Sequence, residues 1–315
     1  MNANSDWVNT TKGIGILLVV LGHIYGGVVS GFIFIFHMPL FFFLSGMLLR
    51  EKEPLPYIKR KAKKFLGYYL FYMILLLLIN IMAKLAKHDI TVEYTLDVLM
   101  DCFLGGRHLT GWFGVFWFLG VLFVSQQLTN YILFKTKPYI AFIFFTVMLA
   151  FAYSNYLFFN IKLPFCVDVV LYAAPIMYIG STFRNIKIPT SMVLLLLIGI
   201  SISFSLFIPF QSLFTFDMKQ GSYGIPAYSL IVSVLISYVI IILSKLINTK
   251  ILHFIGESSM AIMFIHQFFH LAIAEHATNN RFIVYFITLS LSIMYCIAVK
   301  ALKNKYKVKL MKYAY

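Results

Sequence analysis

Hydrophobic positions in this chain run in long blocks instead of alternating or recurring on one helical face. Windows long enough to cross a bilayer core fall at residues 13–30, 31–50, 66–86, 112–133, 139–158, 167–183, 190–209, 226–247, 259–275 and 282–300, a transmembrane helix needing about 20 apolar residues. The pattern predicts an all-α, polytopic integral membrane bundle of about ten transmembrane helices, forming one domain over residues 1–315 with a short N-terminal segment and a basic C-terminal tail. One polar stretch has a different period. Asp89, Glu93, Asp97 and Asp101 recur every four residues with Leu96, Leu99, Met100 and Phe103 between them, which predicts an amphipathic helix lying on the membrane surface. The first apolar block runs directly into a second and carries no small-residue cleavage site, so it reads as a retained span.

Composition removes the soluble alternatives: 61% of residues are hydrophobic and only 12% charged. The formal charge of +15 would suit nucleic acid, but the basic residues lie between spans, which excludes that partner. Lys52, Lys59, Arg60, Lys61, Lys63 and Lys64 follow the second span; Lys135, Lys137, Arg184, Lys187, Lys250 and the tail lysines 300, 303, 305, 307, 309 and 312 fall on the same side. The excess of positive charge makes that face, and both termini, cytoplasmic; the opposite loops hold scattered bases such as Arg107, Lys162, Lys219 and Arg281. The basic segment at 52–64 also suits attraction of anionic headgroups or of an anionic donor molecule. Cys102, Cys166 and Cys296 have no paired spacing for a disulfide framework or zinc site, although a Cys102–Cys166 bridge stays open if both are external.

An ionisable group inside a span is costly and therefore a functional candidate. His23 and His37 sit in the first two spans, and a turn near residue 30 would place both about 10 Å below the same membrane face, at one depth across an antiparallel pair. Glycines 13, 15, 22, 26, 27 and 31 would let those helices approach closely. His266 and His270, four residues apart, share a face of the ninth span, but no carboxylate or cysteine completes a metal set. Arg107 and His108 follow two glycines in LGGRHLTG, a sequence suited to a tight or re-entrant loop, and are weaker substrate-binding candidates. Trp112 and Trp117 suit interfacial anchoring, and Asp168 begins the sixth span where water would reach it.

Several stretches resemble the membrane-bound acyltransferase 3 family, particularly its fucose 4-O-acetylase-like branch of surface glycan O-acetyltransferases. Lys12 followed after ten residues by His23 in KGIGILLVVLGH, then FHMPLFFFLSG, is similar to the family's opening; WFLGVLF from Trp117 is similar to its central segment, and FIGESSMAIMFIHQ, carrying His266, to its C-terminal block. The chain departs from the pattern at Asn9, where an aspartate is usual, and lacks a glutamate after the central tryptophan. The resemblance implies transfer of an acyl group, most often acetyl, from acetyl-CoA or another acyl-CoA as co-substrate, with no permanently bound cofactor. The acceptor would be a sugar hydroxyl in a bacterial surface polysaccharide or its lipid-linked precursor, at the cytoplasmic (inner) membrane. A sugar hydroxyl is a poor nucleophile, and a neutral imidazole is a suitable base; His23 takes that role, directly or through an acyl-histidine, with Lys12 and His37 beside it in catalysis. Trp117, His266, Arg107, His108 and Asn9 would contact substrate. The alternative reading is a multi-span glycan or proton-coupled transporter using the same histidines, although no repeat between halves supports it.

The charge distribution gives a testable topology. On a background lacking the three native cysteines, single cysteines at positions 60 and 135 should resist an impermeant thiol reagent in intact cells, and those at 93 and 219 should react; labelling of position 60 from outside would reverse the assignment.

Overall fold

The computed structural model describes all residues except 1–2, 89–90, 187–189, 211–214, 248, 277, 279, 307–312 and 314–315. Asp89, Lys187, Lys307, Lys309 and Lys312 thus lie outside the described residues. Helices α1 (Ala3–Tyr25), α2 (Gly27–Leu48), α3 (Pro54–Ala86), the surface helix α4 (Val92–Leu104), α5 (Phe116–Lys135), α6 (Pro138–Ser154), α7 (Val170–Thr182), α8 (Thr190–Phe210), α9 (Tyr228–Leu246), α10 (Lys250–Glu257), α11 (Ser259–His276) and α12 (Arg281–Tyr306) follow in order. The sheet among the described residues is one short hairpin, Phe216–Asp217 with Ser222–Tyr223, in the loop between α8 and α9. Eight helical stretches are long and apolar enough to cross a membrane. Two shorter apolar helices, Leu195–Pro209 and Ser259–Glu275, fall where the hydrophobic pattern predicts two further spans, but are shorter than the eight.

Local chemistry sets the boundaries. Proline at the first turn of α3 and of α6 loses only an amide that has no intrahelical partner there, and the Thr91 hydroxyl caps α4 by accepting from the Tyr94 amide at 3.1 Å. The α4 helix carries Glu93, Asp97 and Asp101 and buries none of its residues, as expected of a helix on the surface. Two boundaries differ from the sequence reading. The basic segment after α2 is not a loop: with Pro54 at its start and good helix formers behind it, it forms the first turns of a 33-residue α3, about 50 Å long and longer than the hydrocarbon core. The α1–α2 turn falls at Gly26 and Gly27, both at positive φ, and not near residue 30.

Core and lipid faces separate along single helices. On α3, Leu66, Leu70, Ile74, Leu78, Met82 and Leu85 form a continuous stripe, each more than half exposed; in a bilayer that stripe meets lipid. The centre belongs to α1, α2, α5, α7 and α9, where α2 lies against α7 and α9, and α1 against α2, α9 and α10. These contacts reach backbone distance at glycines. A Cβ on Gly46 would overlap the Met177 carbonyl, one on Gly180 the Phe43 carbonyl, and one on Gly256 the Asn9 carbonyl. Cys102 and Cys166 stay unbridged; Cys102 donates to the Met73 thioether at 3.5 Å and Cys166 to the Lys219 carbonyl at 3.7 Å.

These contacts make a graded prediction. Gly46→Val and Gly180→Val should each destabilise the detergent-solubilised protein by more than about 1–3 kcal/mol, read as a fall in thermal midpoint, because the obstruction is backbone. Gly120→Ala, whose Cβ would meet nothing within 4 Å, should leave the midpoint unchanged or slightly raised.

Candidate functional site

Three helices bring three imidazoles together. His23 lies near the end of α1, His37 in α2 and His266 in α11; the His23 ring centroid is 6.2 Å from that of His37 and 5.5 Å from that of His266. Phe34 packs against both cavity histidines, 5.6 Å from His23 and 4.8 Å from His37. The expected equal depth is corrected: Gly15 faces Leu40 and Phe41 while Gly22 faces Ile33 and Phe34, so His37 lies about one helical turn deeper than His23. Glycines at 26 and 27 turn the chain early and cause this offset.

Backbone carbonyls orient two of the rings. His37 Nδ1 lies 3.0 Å from the Ile33 carbonyl oxygen and His266 Nδ1 lies 3.0 Å from that of Ile262. A carbonyl only accepts, so each Nδ1 carries the proton and, in a neutral ring, Nε2 carries the lone pair. His37 is nearly buried and His266 wholly so, and His266 Nε2 has no hydrogen-bond partner among the described residues. Around His23 and His37 lies a cavity of about 210 Å³, walled also by Phe34, Trp117, Gln267 and Lys219. His266 stands behind His23, outside the lining.

A second cavity of about 250 Å³ opens toward the basic end of the bundle, lined by Lys12, Lys61, Lys64, Glu257, Ser45 and Gln126. Lys12 donates to Asn9 Oδ1 at 3.3 Å, and the Asn9 amide lies 3.1 Å from His253 Nε2, which in turn is 3.2 Å from Asp6. Asn9 thus holds the lysine from beside the cavity, and Asp6 and His253 anchor that arrangement to α10. Phe118 and Met263 line both cavities. The lysine cavity and the histidine cavity therefore meet across two apolar side chains.

The opposite end is closed by loops. Arg107 makes a two-pronged ion pair with Asp168, at 2.7 and 2.5 Å, with the two side chains only 10% and 4% exposed. Burial works against the Arg107 cation, but bonding to Asp168 outweighs it and its pKa is raised. Asp168 is thus buried and paired, not solvated as its place in the sequence suggested. Lys219 donates to the Leu109 carbonyl at 2.5 Å, and burial draws its pKa below the ordinary value despite Cys166 and Asp217 nearby. Tyr223 stacks on Tyr172 at 4.2 Å, fixing the hairpin to α7.

Of the residues singled out from the sequence, His23, His37 and Trp117 line one cavity, Lys12 lines the other, and Asn9 and His266 support them from behind. Arg107 and His108 are not brought to either cavity: Arg107 joins two loops, and His108 is half-exposed 4.0 Å from Asp101. Sequence reasoning named Lys61 and Lys64 only within the basic segment at 52–64; their i,i+3 spacing places these two on one face once the segment is helical. It named Lys219 only as an external base and passed over Gln267 and Gln126, which no local pattern marks.

Ten apolar helices around a buried cluster of imidazoles, with an amine-lined cavity against it, describe an integral membrane protein built for chemistry at bilayer depth. A family model described as an acyltransferase domain, that of the acyltransferase 3 family, matches residues 5–301; the chain belongs to this family and is a membrane acyltransferase. Neither the curated proteins nor the solved structures give a match.

The two tryptophans should separate in function. Trp117 is buried in the histidine cavity, whereas Trp112 packs on Phe268 at 5.0 Å outside it. Trp117→Ala should lower kcat/KM about tenfold, a loss of ~1.4 kcal/mol, with Trp117→Phe retaining more and Trp112→Ala retaining most; equal losses with poor folding would assign both to anchoring.

Proposed function

We propose that the protein transfers an acetyl group from acetyl-CoA to a hydroxyl of a sugar in a bacterial surface polysaccharide or its lipid-linked precursor, in the manner of the fucose 4-O-acetylase-like branch. The enzyme sits in the cytoplasmic membrane with its basic end and both termini facing the cytoplasm. The observation that carries this reading is the meeting of the two cavities at Phe118 and Met263. Lys12, Lys61 and Lys64 offer cations to the phosphates of the donor at the cytoplasmic mouth. Lys12 and His23 are eleven residues apart on α1, about 16 Å along its axis, a separation suited to the pantetheine arm. The acceptor enters from the other side, past Lys219 and Gln267, with Trp117 as an apolar wall for a sugar ring.

At His23 the imidazole takes the proton of the acceptor hydroxyl as its oxygen attacks the thioester carbonyl. The C–O bond forms, the tetrahedral intermediate collapses with cleavage of the C–S bond, and the thiolate leaves with the proton returned from the imidazolium. His37 and His266 hold His23 in place. The apolar side chains lining the histidine cavity, among them Val19, Phe34, Trp117, Phe118 and Met263, limit the access of water that would compete with the sugar.

Purified protein in detergent, given acetyl-CoA and a panel of sugars, should transfer acetyl groups without a second compartment, which transport would require. His23→Gln should lower kcat at least about a hundredfold, since glutamine supplies no base. Lys12→Ala should chiefly raise KM for acetyl-CoA, and Lys12→Arg should keep much of the activity. Folded His23→Gln protein with near wild-type transfer would remove this histidine from the chemistry.

A further inference from the structure

Toward the basic end of the lysine cavity a polar pair joins two of its walls. Gln126 on α5 donates through Nε2 to Ser45 Oγ on α2 at 2.6 Å, and both residues line the cavity. Gln126 is only 6% exposed, and its Oε1 is buried without a hydrogen-bond partner among the described residues. Out of bulk water an unmade hydrogen bond on a carboxamide is a cost, and a polar ligand group reaching this part of the cavity would remove it. Gln126 lies eight residues from Phe118 on the same helix, about 12 Å toward the basic mouth, and shares the cavity lining with Lys12, Lys61 and Lys64.

We infer that Gln126, held by Ser45, recognises an amide group of the donor's arm as it passes through the bundle. The inference rests on the donor reading above and adds a residue that reads the arm instead of its phosphates. A pantetheine arm carries two secondary amides, each with an N–H and a carbonyl that lose water on entering the cavity. A glutamine carboxamide matches either atom: Oε1 accepts the N–H, or, with the side-chain amide turned over and Ser45 donating to Oε1, Nε2 donates to the carbonyl. A purely hydrocarbon thioester has neither group and leaves the Gln126 amide unsatisfied, so the site discriminates for an amide-bearing carrier.

The test combines a protein change with a donor change. Steady-state transfer is measured for wild type and Gln126→Met with acetyl-CoA and with two analogues in which one or the other pantetheine amide is replaced by an ethylene unit. Wild type should show KM about tenfold higher for one analogue. Gln126→Met should show a similar rise with acetyl-CoA, kcat within about threefold, and no further rise with that same analogue. Unchanged KM for Gln126→Met, or equal rises with all three donors, would overturn the inference while leaving the donor assignment intact. If the variant does not fold, the wild-type comparison decides, and equal KM for acetyl-CoA and both analogues overturns it. Absence of transfer from acetyl-CoA by folded wild type would instead overturn the donor reading, and this inference with it.

Discussion

Backbone-to-backbone contact at glycines holds α1 and α2, two of the three helices that carry the clustered histidines, in place, and the rest of the site depends on it. Gly256 of α10 lies against the Asn9 carbonyl of α1, and Gly46 of α2 and Gly180 of α7 each lie against a carbonyl of the other helix. In lipid there is no hydrophobic gain from helix association, so close packing through small residues has to supply it. The same contacts fix the rotation of α1 and α2, and with it the direction in which Lys12, His23 and His37 point. A methyl group at any of these positions would push the helices apart and separate groups that now meet.

Polar groups at bilayer depth follow a common logic of local satisfaction. Ser237 donates to the Ser233 carbonyl, Ser244 to that of Ile240, and Ser292 to that of Thr288, all within their own helices. His37 and His266 use the same device through Nδ1, which leaves Nε2 for chemistry or orientation. Atoms left unsatisfied are therefore informative. They gather on α5 and α11, at Gln126, Gln127, His266, Gln267 and His270, and these two helices also supply Phe118 and Met263 between the cavities.

The closed end achieves rigidity by other means. Three connections between helices are tied together by the Arg107–Asp168 ion pair, by Lys219 on the Leu109 carbonyl, and by stacked tyrosines. Glycine makes this possible at one point in particular: Gly106, at positive φ, passes so close to the Phe165–Cys166 backbone that a side chain would collide with it. Fixing these loops sets Thr110, Asp217 and Lys219 in the wall of the histidine cavity without requiring a separate domain.

The sequence by itself determined the all-α membrane class and the rough limits of most apolar helices, because a run of about twenty apolar residues is stable in a bilayer as a helix, whose backbone groups are satisfied within the segment. It also marked His23, His37, Lys12 and Trp117, since ionisable and interfacial groups stand out against hydrocarbon, and the order of the family-like blocks pointed to acyl transfer. Tertiary structure alone decided that Lys12 and His23 face two different cavities, that His266 stands behind His23, and that Arg107 pairs with Asp168 away from both cavity linings. Depth, too, was decided there: two glycines at positive φ moved the first turn by several residues and offset His37 by a helical turn. The physical reason is that hydropathy reports how far a residue lies from water, whereas rotation about the helix axis and contact across distant helices leave no trace in a uniformly apolar pattern.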